Sequence, residues 1–383
     1  MSKASIVVTV PRGLCRFLRE EVEQLGYPVR SLSSTTLETE GNKVDAMRLN
    51  LHLRTAHHVL YEVAKFKARN ADELYKSLLT IPWELMIPAD GYLSVVSNVV
   101  NTTIRDTRFA NLRCKDAIVD RIFQRKGRRP DSGSDRTRAV VSLFWRDDRC
   151  RVYLDTSGEP LSRRGYRKIP LSAPMQETLA AGVIKASGWN YNEHFVNPMC
   201  GSATIAIEAA LAASERAPGL TRVNFGFLHL LGFDRYEWQK LRKQAGLSVK
   251  KRLSEPIIAT DVSEKAIEAA QKNAQTAGVS NLIRFYQRDF SETIIPPEPG
   301  VIVVNPEYGI RMGKEDELIT TYRDIGSFFK HKCQGYRGYI FTANTTLAGK
   351  VGLKAKRHYP FFNGKIECRL YEYELYRGTR VKN

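Results

Sequence analysis

Short apolar runs in the second half of the chain constrain its fold more than any other feature. Runs that stay apolar over consecutive residues, with helical spacing between them, are typical of strands buried on both faces of a parallel sheet. Five of them lie at 194–197 (HFVN), 257–261 (IIATD), 283–287 (IRFYQ), 301–305 (VIVVN) and 339–343 (YIFTA). The end of the chain differs, because Asn363-Gly364 separates two extended runs and predicts an antiparallel hairpin. We therefore expect an α/β domain over residues 177–383, with a mostly parallel sheet that a hairpin completes.

The first half of the chain predicts two smaller modules. Strand, helix, strand, helix and strand follow one another in short order over residues 1–69, which indicates a small α+β module. A second small sheet is expected within residues 70–157. Its strand-like runs are 92–100, 139–145 and 150–157. Residues 158–176 then break the periodicity with three prolines and the dense cluster RRGYRK, which indicates a basic linker.

Positive charge is concentrated in the middle of the chain. Lys and Arg number 59 against 41 Asp and Glu, a net charge of +18, and residues 101–170 alone hold 18 basic and 9 acidic side chains. Fifteen of those 18 are arginine, which binds phosphate in bidentate fashion. A helix expected here has cations on one side, and its predicted apolar side is Leu112, Ala117, Ile118, Ile122 and Phe123. The region predicts a phosphate-facing surface and a polyanionic partner.

Several protein classes do not fit the sequence. The longest apolar runs fall far short of the roughly 20 residues that a membrane span needs, and the N-terminal MSKASIVVTVPRGL does not resemble a signal peptide. Six cysteines are scattered without a CxxC pair, which argues against a disulfide framework, a zinc site or an iron–sulfur cluster. His57-His58 is interpreted as structural rather than metal-binding. We expect no metal site, no membrane partner and a cytoplasmic location.

Candidate ligand-binding residues follow the expected strands. The strand at 194–197 leads into Gly201-Ser202-Ala203-Thr204 and then a helix, so small residues let the backbone approach a ligand at a helix N-terminus. The next strand ends in Asp261, an acid suited to a ribose diol, and the third is followed by Asp289-Phe290. In open α/β sheets ligands bind at this carboxyl edge, so these residues form one candidate site.

Three interpretations of this edge compete. A nicotinamide dinucleotide site needs GxGxxG with an acid about 20 residues later, whereas Asp261 lies 60 residues after Gly201. A phosphate-cradling loop needs GxxxxGK[ST], which the sequence lacks. An adenosyl-methionine site has no phosphates to cradle and suits a short small-residue turn with two later acids. A tight turn with coincidental acids is the remaining alternative.

The tetrapeptide Asn305-Pro306-Glu307-Tyr308 distinguishes these interpretations, because it follows the fourth strand. An exocyclic amine on an aromatic ring is a poor nucleophile, since its lone pair is delocalised into the ring. The side-chain oxygen of Asn305 and the carbonyl of Pro306 can accept its two N–H bonds, and Tyr308 can stack on an extruded base. Asn-Pro also marks ordinary turns, but its position in this sheet favours methyl transfer to a base.

Seven segments in linked order carry a family resemblance. They are SGEPLSRRGYR (157–167), APMQETLAAGVI (173–184), NPMCGSATIAIEAA (197–210), APGLTRVNFGF (217–227), ATDVSEKAIEAAQKNAQTAGV (259–279), NPEYGIRMG (305–313) and FNGKIECRLYEYEL (362–375). With these segments the chain resembles the class I adenosyl-methionine-dependent methyltransferases that carry an N-terminal THUMP domain. Among them it is most similar to the bacterial 23S ribosomal RNA guanine-N2 methyltransferases. The likeness is strongest from residue 157 onward.

The resemblance implies a role for each matching position. Gln176 would lie over the cofactor, Asp261 would bind its ribose, and Asp289 with Phe290 would border its adenine. The positions implied to line the methionine end of the cofactor are Asn197, Gly201, Ser202 and Thr204. Those implied to hold the target guanine are Asn305, Pro306 and Tyr308. Those implied to grip RNA, on the THUMP domain and along the linker, are Arg125, Arg128, Arg129, Arg163, Arg164 and Arg167.

Two positions depart from the family pattern. The cofactor loop usually has a second glycine where this chain has Ala203. The extra methyl group either crowds the cofactor or is tolerated because the turn adopts a negative φ. The catalytic tetrapeptide usually has a second proline where this chain has Glu307, whose carboxylate could pair with a guanine edge or with Arg311. Either change could also mark a weakened enzyme.

The resemblance and the residues together predict a Rossmann-like, seven-stranded methyltransferase sheet with a C-terminal antiparallel hairpin, preceded by α+β ferredoxin-like and THUMP domains. The expected activity is transfer of a methyl group from S-adenosyl-L-methionine to the N2 amine of a guanosine in 23S ribosomal RNA, naked or in a partly assembled large subunit. One alternative is a transfer-RNA guanine-N2 methyltransferase. The other is an RNA-binding ribosome assembly factor with weakened catalysis.

Overall fold

The computed structural model describes residues 3–101, 106–169, 175–309 and 315–376. The strands of these ranges are β1 (Ala4–Thr9), β2 (Ser31–Leu32), β3 (Thr36–Gly41), β4 (His58–Lys67), β5 (Tyr92–Val100), β6 (Asp131–Ser132), β7 (Ala139–Arg146), β8 (Arg149–Asp155), β9 (His194–Pro198), β10 (Ile257–Asp261), β11 (Ile283–Gln287), β12 (Gly300–Val304), β13 (Arg337–Thr342), β14 (Arg357–Asn363) and β15 (Ile366–Glu374). The helices are α1 (Cys15–Gln24), α2 (Lys43–His52), α3 (Ala71–Leu79), α4 (Thr107–Lys126), α5 (Glu177–Ala186), α6 (Thr204–Ala213), α7 (Arg235–Leu247), α8 (Glu264–Ala277), α9 (Glu315–Lys332) and α10 (Thr345–Lys350). None of the helices in the described ranges combines the length and the apolar character needed to cross a membrane.

The chain folds into two compact units, and the first is built from Met1–Val10, Leu18–Arg163 and Arg222–Gln244. Its centre is one eight-stranded sheet in the order β2-β3-β1-β4-β8-β7-β5-β6. Sequence patterning predicted two small sheets here, and this prediction is wrong because β4 pairs antiparallel with β8 from Leu60 to Lys67. The ten-residue β4 satisfies backbone groups that two separate sheets would leave unpaired at their edges.

Helix α4 packs one face into the core of the first unit. Ala117 and Ile118 are fully buried there, as the sequence predicted, and so is Cys114. Leu112 and Phe123, which the sequence analysis placed on the apolar side, are instead 56% and 48% exposed. The helical period explains the error, because Leu112 and Phe123 lie on the face of the helix opposite the stripe that Cys114, Ala117 and Ile118 define.

The second unit is built from Pro11–Phe17, Arg164–Thr221 and Ala245–Asn383. Its seven-stranded sheet has the order β11-β10-β9-β12-β13-β15-β14. The strands β9 to β13 pair parallel with one another, whereas β15 pairs antiparallel with β13 and with β14. The predicted parallel sheet with a terminal hairpin is therefore confirmed.

The mostly apolar sequences of β9 and β12 explain why these two strands lie in the middle of the sheet. All five residues of β12 are buried, and β9 is buried along its length, so neither strand has a solvent face. Because β11, β10, β9 and β12 are parallel neighbours, their carboxyl ends meet at one edge of the sheet. The side chains that follow these four strands are thereby brought together.

Candidate active site

The loop from β9 to α6 has an unusual backbone. Met199, Gly201 and Ala203 all have positive φ, with values of 53°, 54° and 59°. The suggestion that Ala203 is tolerated through a negative φ is therefore wrong. Its amide donates to the carbonyl of Cys200 at 2.8 Å, and its carbonyl accepts from Ile207 at 2.8 Å, so the left-handed turn closes the loop and starts α6.

Asp261 ties the end of β10 to this loop. Its Oδ2 accepts a hydrogen bond from the amide of Gly201 at 2.9 Å, and its Oδ1 accepts from the amide of Ser263 at 3.0 Å. Each carboxylate oxygen has further lone pairs. The acid can therefore hold the loop in place and still accept hydrogen bonds from a ligand hydroxyl.

Asn197 connects β9 with β12. The side chain is completely buried, and its Nδ2 donates to the carbonyl of Val303 at 2.8 Å. Its Oδ1 is buried without a hydrogen-bond partner among the described residues. A buried acceptor without a donor costs free energy, and this oxygen is available as a hydrogen-bond acceptor at the carboxyl edge of the sheet.

The loop Asn305-Pro306-Glu307-Tyr308 begins directly after β12, as predicted. Asn305 Oδ1 is buried, and no hydrogen bond reaches it within the part of the chain that the structure describes. Pro306 is buried, whereas Glu307 is exposed. Arg311, the partner considered for Glu307, lies outside the described residues. Asn305 thus presents a second unsatisfied amide oxygen, two residues after the Val303 carbonyl that Asn197 binds.

Tyr308 is half-buried beside the C-terminal hairpin. Its hydroxyl accepts a hydrogen bond from Asn363 Nδ2 at 3.4 Å, and burial raises its pKa above the ordinary tyrosine value. Asn363 was recognised in the sequence only as a turn residue. A neutral, positioned tyrosine ring suits stacking on a base.

Two other predicted cofactor residues lie after β11. Asp289 Oδ1 accepts from both the amide and the hydroxyl of Ser291, at 2.9 and 2.6 Å. Phe290 is buried and packs edge-on against Phe328, with ring centroids 5.9 Å apart. The structure therefore places the Phe290 ring in the core of the second unit, and Asp289 at the end of the strand.

Two of the three linker arginines, Arg164 and Arg167, are bound within the second unit instead of lying on a basic track. Arg164 is only 1% exposed and pairs with Glu208, so the prediction that it binds RNA is wrong. Arg167 donates to Thr204 Oγ1 at 3.1 Å and to the carbonyl of Met175 at 2.7 Å, and it pairs with Glu177. Its guanidinium is therefore occupied within the protein, which corrects that prediction as well.

Asn273 on α8 also holds this linker, a role that was not predicted from the sequence. Its Oδ1 accepts from the amides of Lys168 and Ile169 at 2.8 and 3.2 Å, and its Nδ2 donates to the carbonyl of Ser202 at 3.4 Å. The side chain is completely buried. The sequence signal that could have predicted this role is a polar asparagine on the apolar face of an otherwise alanine-rich helix.

The remaining predicted residues lie in the loop between β9 and α6, at the start of α5, at the end of α4 and in the linker. Ser202 and Thr204 are buried in the loop and at the start of α6, and Gln176 is the N-cap of α5. Arg125, Arg128 and Arg129 are exposed at and after the end of α4. Arg129 pairs with Asp120, and Arg163 is exposed in the first unit and pairs with Glu159.

Family comparison identifies three consecutive domains in this chain. Residues 5–60 match the RlmL ferredoxin-like domain, residues 68–155 match the THUMP domain, and residues 164–372 match the RMKL-like methyltransferase domain. The chain belongs to the RMKL-like methyltransferase family. The resemblance stated from the sequence motifs is thereby confirmed.

Curated relatives of this RMKL-like protein agree with the assignment. Ribosomal RNA large subunit methyltransferase K/L of Psychromonas ingrahamii is 36% identical over 97% of this chain, and that of Syntrophotalea carbinolica is 35% identical over 96%. The chain spans about half the length of these two relatives, 50% and 53%. The protein named "Putative RNA methyltransferase slr0064" of Synechocystis is 31% identical, and the match covers 96% of both chains.

Solved structures share the RMKL-like architecture along the whole chain. SMU.472, in a crystal structure with SAH, is 26% identical with a TM-score of 0.86, and the match covers 100% of both chains. A Listeria monocytogenes protein described as a "predicted N6-adenine-specific DNA methylase" is 31% identical with a TM-score of 0.87, over 98% of this chain and 97% of that one. The fold predicted from the sequence is confirmed by these neighbours.

Proposed function

We propose that the chain transfers a methyl group from S-adenosyl-L-methionine to the exocyclic N2 amine of a guanosine in 23S ribosomal RNA. The unsatisfied amide oxygen of Asn305, next to the strand that Asn197 binds, carries this proposal. The THUMP match supports an RNA substrate, and the names of the K/L relatives support the large ribosomal subunit. The four predicted segments, 1–69, 70–157, 158–176 and 177–383, remain our proposed division of the chain.

The residues at the carboxyl edge fit S-adenosyl-L-methionine, which supplies an electrophilic methyl group when bound. Asn197 Oδ1 is a buried acceptor suited to the ammonium group of the methionine end. A Cβ placed on Gly201 would meet nothing within 4 Å, so the loop leaves open space there. Asp261 can accept hydrogen bonds from a ribose diol while it holds Gly201, and the SAH in the SMU.472 structure supports the same cofactor class.

Asn305 and Pro306 activate the target amine by hydrogen bonding. Two acceptors, Asn305 Oδ1 and the Pro306 carbonyl, hold the two N–H groups and localise the nitrogen lone pair toward the methyl donor. Tyr308 stacks on the extruded base and fixes its plane. Catalysis then rests on proximity and orientation of the amine, with direct in-line attack and without a covalent enzyme intermediate. Burial raises the pKa of the Cys200 thiol, which keeps it protonated and unsuited to nucleophilic attack.

Replacement of Asn305 by alanine tests the assignment of the acceptor. We expect Asn305→Ala to lower kcat by about 100-fold or more, in the range found when one transition-state hydrogen bond is removed. Affinity for S-adenosylhomocysteine, measured by calorimetry, should stay near that of the wild type. Asn281→Ala, at an exposed asparagine of the same unit, is the matched control and should retain activity. Loss of S-adenosylhomocysteine binding in Asn305→Ala would contradict the placement of this loop.

Nucleoside mass spectrometry of RNA from a deletion strain tests the substrate. The proposal expects loss of one N2-methylguanosine from 23S ribosomal RNA and its return on complementation with the wild-type chain. Loss from transfer RNA instead would favour the alternative substrate. Loss of N6-methyladenosine would show that Asn305 serves an adenine amine, the chemistry named for the Listeria neighbour. If all of these nucleosides persist and calorimetry detects no binding of S-adenosyl-L-methionine, the protein is an RNA-binding factor without catalysis.

A further inference from the structure

We propose that the outer face of helix α7 is a second RNA-contacting surface, which binds the phosphate backbone of the substrate. This inference rests on the proposed function, in which the substrate is RNA. Helix α7 lies in the sequence between two elements of the second unit, α6 and β10. Its residues up to Gln244 nevertheless belong to the first unit, which also holds the THUMP domain.

The segment that contains α7 is bound firmly to the first unit. Arg222 is 4% exposed, and its guanidinium donates to the carbonyls of Pro160 and Arg163 at 2.7 and 3.0 Å. Asn224 Nδ2 donates to the carbonyl of Thr137 at 2.7 Å. The segment is therefore a fixed part of this unit rather than a loose connection.

Aromatic packing orients the helix. Trp238 is buried, and its ring lies 5.1 Å from that of Phe225 and 4.9 Å from that of Phe227. Arg242 covers the Trp238 ring at 5.5 Å and donates to the carbonyl of Arg222 at 3.1 Å. Because this side of α7 faces the unit, the opposite side faces solvent.

The solvent side presents an aromatic ring and cations in one stripe. Tyr236, Lys240 and Lys243 are spaced i, i+4 and i+7, which places them on one face of the helix. Tyr236 is 72% exposed, and the two lysines are exposed as well. Glu237 is the acidic residue of α7, and it pairs with Lys240 at 3.7 Å. Exposed cations beside a free ring combine phosphate attraction with stacking.

Charge continuity with the THUMP loop favours RNA over a protein partner. A cleft of about 450 Å³ in the first unit is lined by Arg138, from the segment between β6 and β7, and by Arg235, from the start of α7. The exposed Arg128 and Arg129 lie on the preceding loop, between α4 and β6. Arg138 and Arg235 thus bring basic side chains from the stretch 101–170 and from α7 to one cleft, as contact with a long polyanion requires.

Salt-dependent binding of wild-type and variant chains to a 23S ribosomal RNA transcript tests the surface. We expect Lys240→Ala/Lys243→Ala to lower affinity about tenfold at low salt and to reduce the slope of log K against log salt by roughly 1.4 to 1.8, for two lost phosphate contacts. Lys240→Arg/Lys243→Arg should restore binding. Lys265→Ala/Lys272→Ala, an exposed lysine pair on α8, is the matched control and should bind as the wild type does.

The outcomes separate this inference from the proposed function. A Lys240→Ala/Lys243→Ala chain with wild-type circular dichroism and wild-type RNA affinity overturns the α7 surface and leaves the methyltransferase proposal standing. Unchanged affinity for the transcript with weaker binding to partly assembled large subunits assigns the face to a ribosomal protein and also overturns it. If the wild-type chain neither binds nor methylates 23S ribosomal RNA, the proposed function itself fails.

Discussion

Ala203 holds a backbone conformation that glycine adopts without strain. A left-handed conformation costs a residue with a Cβ about 1–2 kcal/mol, and Ala203 has a φ of 59° at a fully buried position. The loop keeps this conformation because hydrogen bonds on both sides of Ala203 fix it. The chain therefore carries strain where the cofactor is proposed to bind.

Restoring glycine at this position measures that strain. We expect Ala203→Gly to leave the free energy of unfolding unchanged or to raise it by up to about 1 kcal/mol, since relief of strain outweighs the greater freedom of the unfolded chain. Ala206→Gly, at a buried helical position of α6, should lower it by about 1 kcal/mol or more. Urea denaturation of both variants compares them, and equal destabilisation would show that Ala203 is not strained.

The sequence predicted the positions of site residues better than their partners. Asn305, Asp261 and Gly201 follow strands and meet at one edge because parallel strands align their carboxyl ends. Arg164 and Arg167 were assigned to RNA because the family resemblance implies a basic track along the linker, and charge alone does not show that Glu208 and Glu177 lie within reach. Those carboxylates are 44 and 10 residues away in the chain, so only the fold reveals the pairs.

At the scale of elements, hydrogen bonds connect the linker at two places to the loop between β9 and α6, where the cofactor is proposed to bind. Arg167 holds Thr204 at the start of α6, and Asn273 on α8 joins Lys168 and Ile169 to Ser202. A partly buried arginine and a fully buried asparagine thus hold this loop by hydrogen bonds. The linker has a structural task beside the cofactor loop that its basic composition did not indicate.

Removal of Asn273 should loosen that loop. We expect Asn273→Ala to weaken S-adenosylhomocysteine binding about tenfold, because misplaced contacts lose the benefit of orientation, and to raise KM for the cofactor more than it lowers kcat. Asn50→Ala is the matched control, since Asn50 in the first unit is equally buried and bonds to Ala46, Thr156 and Ser157. Both variants should lose stability, but Asn50→Ala should bind S-adenosylhomocysteine normally. If calorimetry gives the same S-adenosylhomocysteine affinity for Asn273→Ala and Asn50→Ala, the role of Asn273 is purely structural.

At the scale of the whole molecule, local sequence patterns predicted where the strands are but not which strands join in one sheet. The parallel sheet and its hairpin were predictable, because apolar runs and Asn363-Gly364 are local signals. The pairing of β4 with β8 joins residues about 90 positions apart, and no local pattern encodes it. The same holds for residues 222–244, which lie within the methyltransferase sequence but belong to the first unit.

Two partly buried histidines give the first unit a defined response to acid. Burial lowers the pKa of His52 and of His57 from 6.5 to about 4, with nearby positive charges as a smaller cause. At pH values between about 4 and 6.5, the two histidines bind protons in the unfolded chain but not in the folded chain. The free energy of unfolding therefore falls as pH drops from 6.5 to about 4. Two such groups add a slope of up to about 2.7 kcal/mol per pH unit.

Replacement of both histidines tests this response. We expect His52→Asn/His57→Asn to flatten the loss of stability between pH 6.5 and 4, relative to the wild type, in urea denaturation followed by tryptophan fluorescence. His331→Asn, at an exposed histidine of α9, should leave the pH dependence as it is. The same slope in the double variant and the wild type would show that other groups set the acid response.

The assignment of residues 222–244 to the first unit also bears on the order in which the protein can form. Synthesis proceeds from the N-terminus, and domains commonly fold as they emerge. The aromatic cluster around Trp238 and the carbonyl contacts of Arg222 are absent until those residues leave the ribosome, well after the THUMP domain and the cofactor loop. The first unit is therefore begun first but completed late, and a nascent chain reaches the full RNA-contacting surface that we propose only after strand β9 of the second unit has been made.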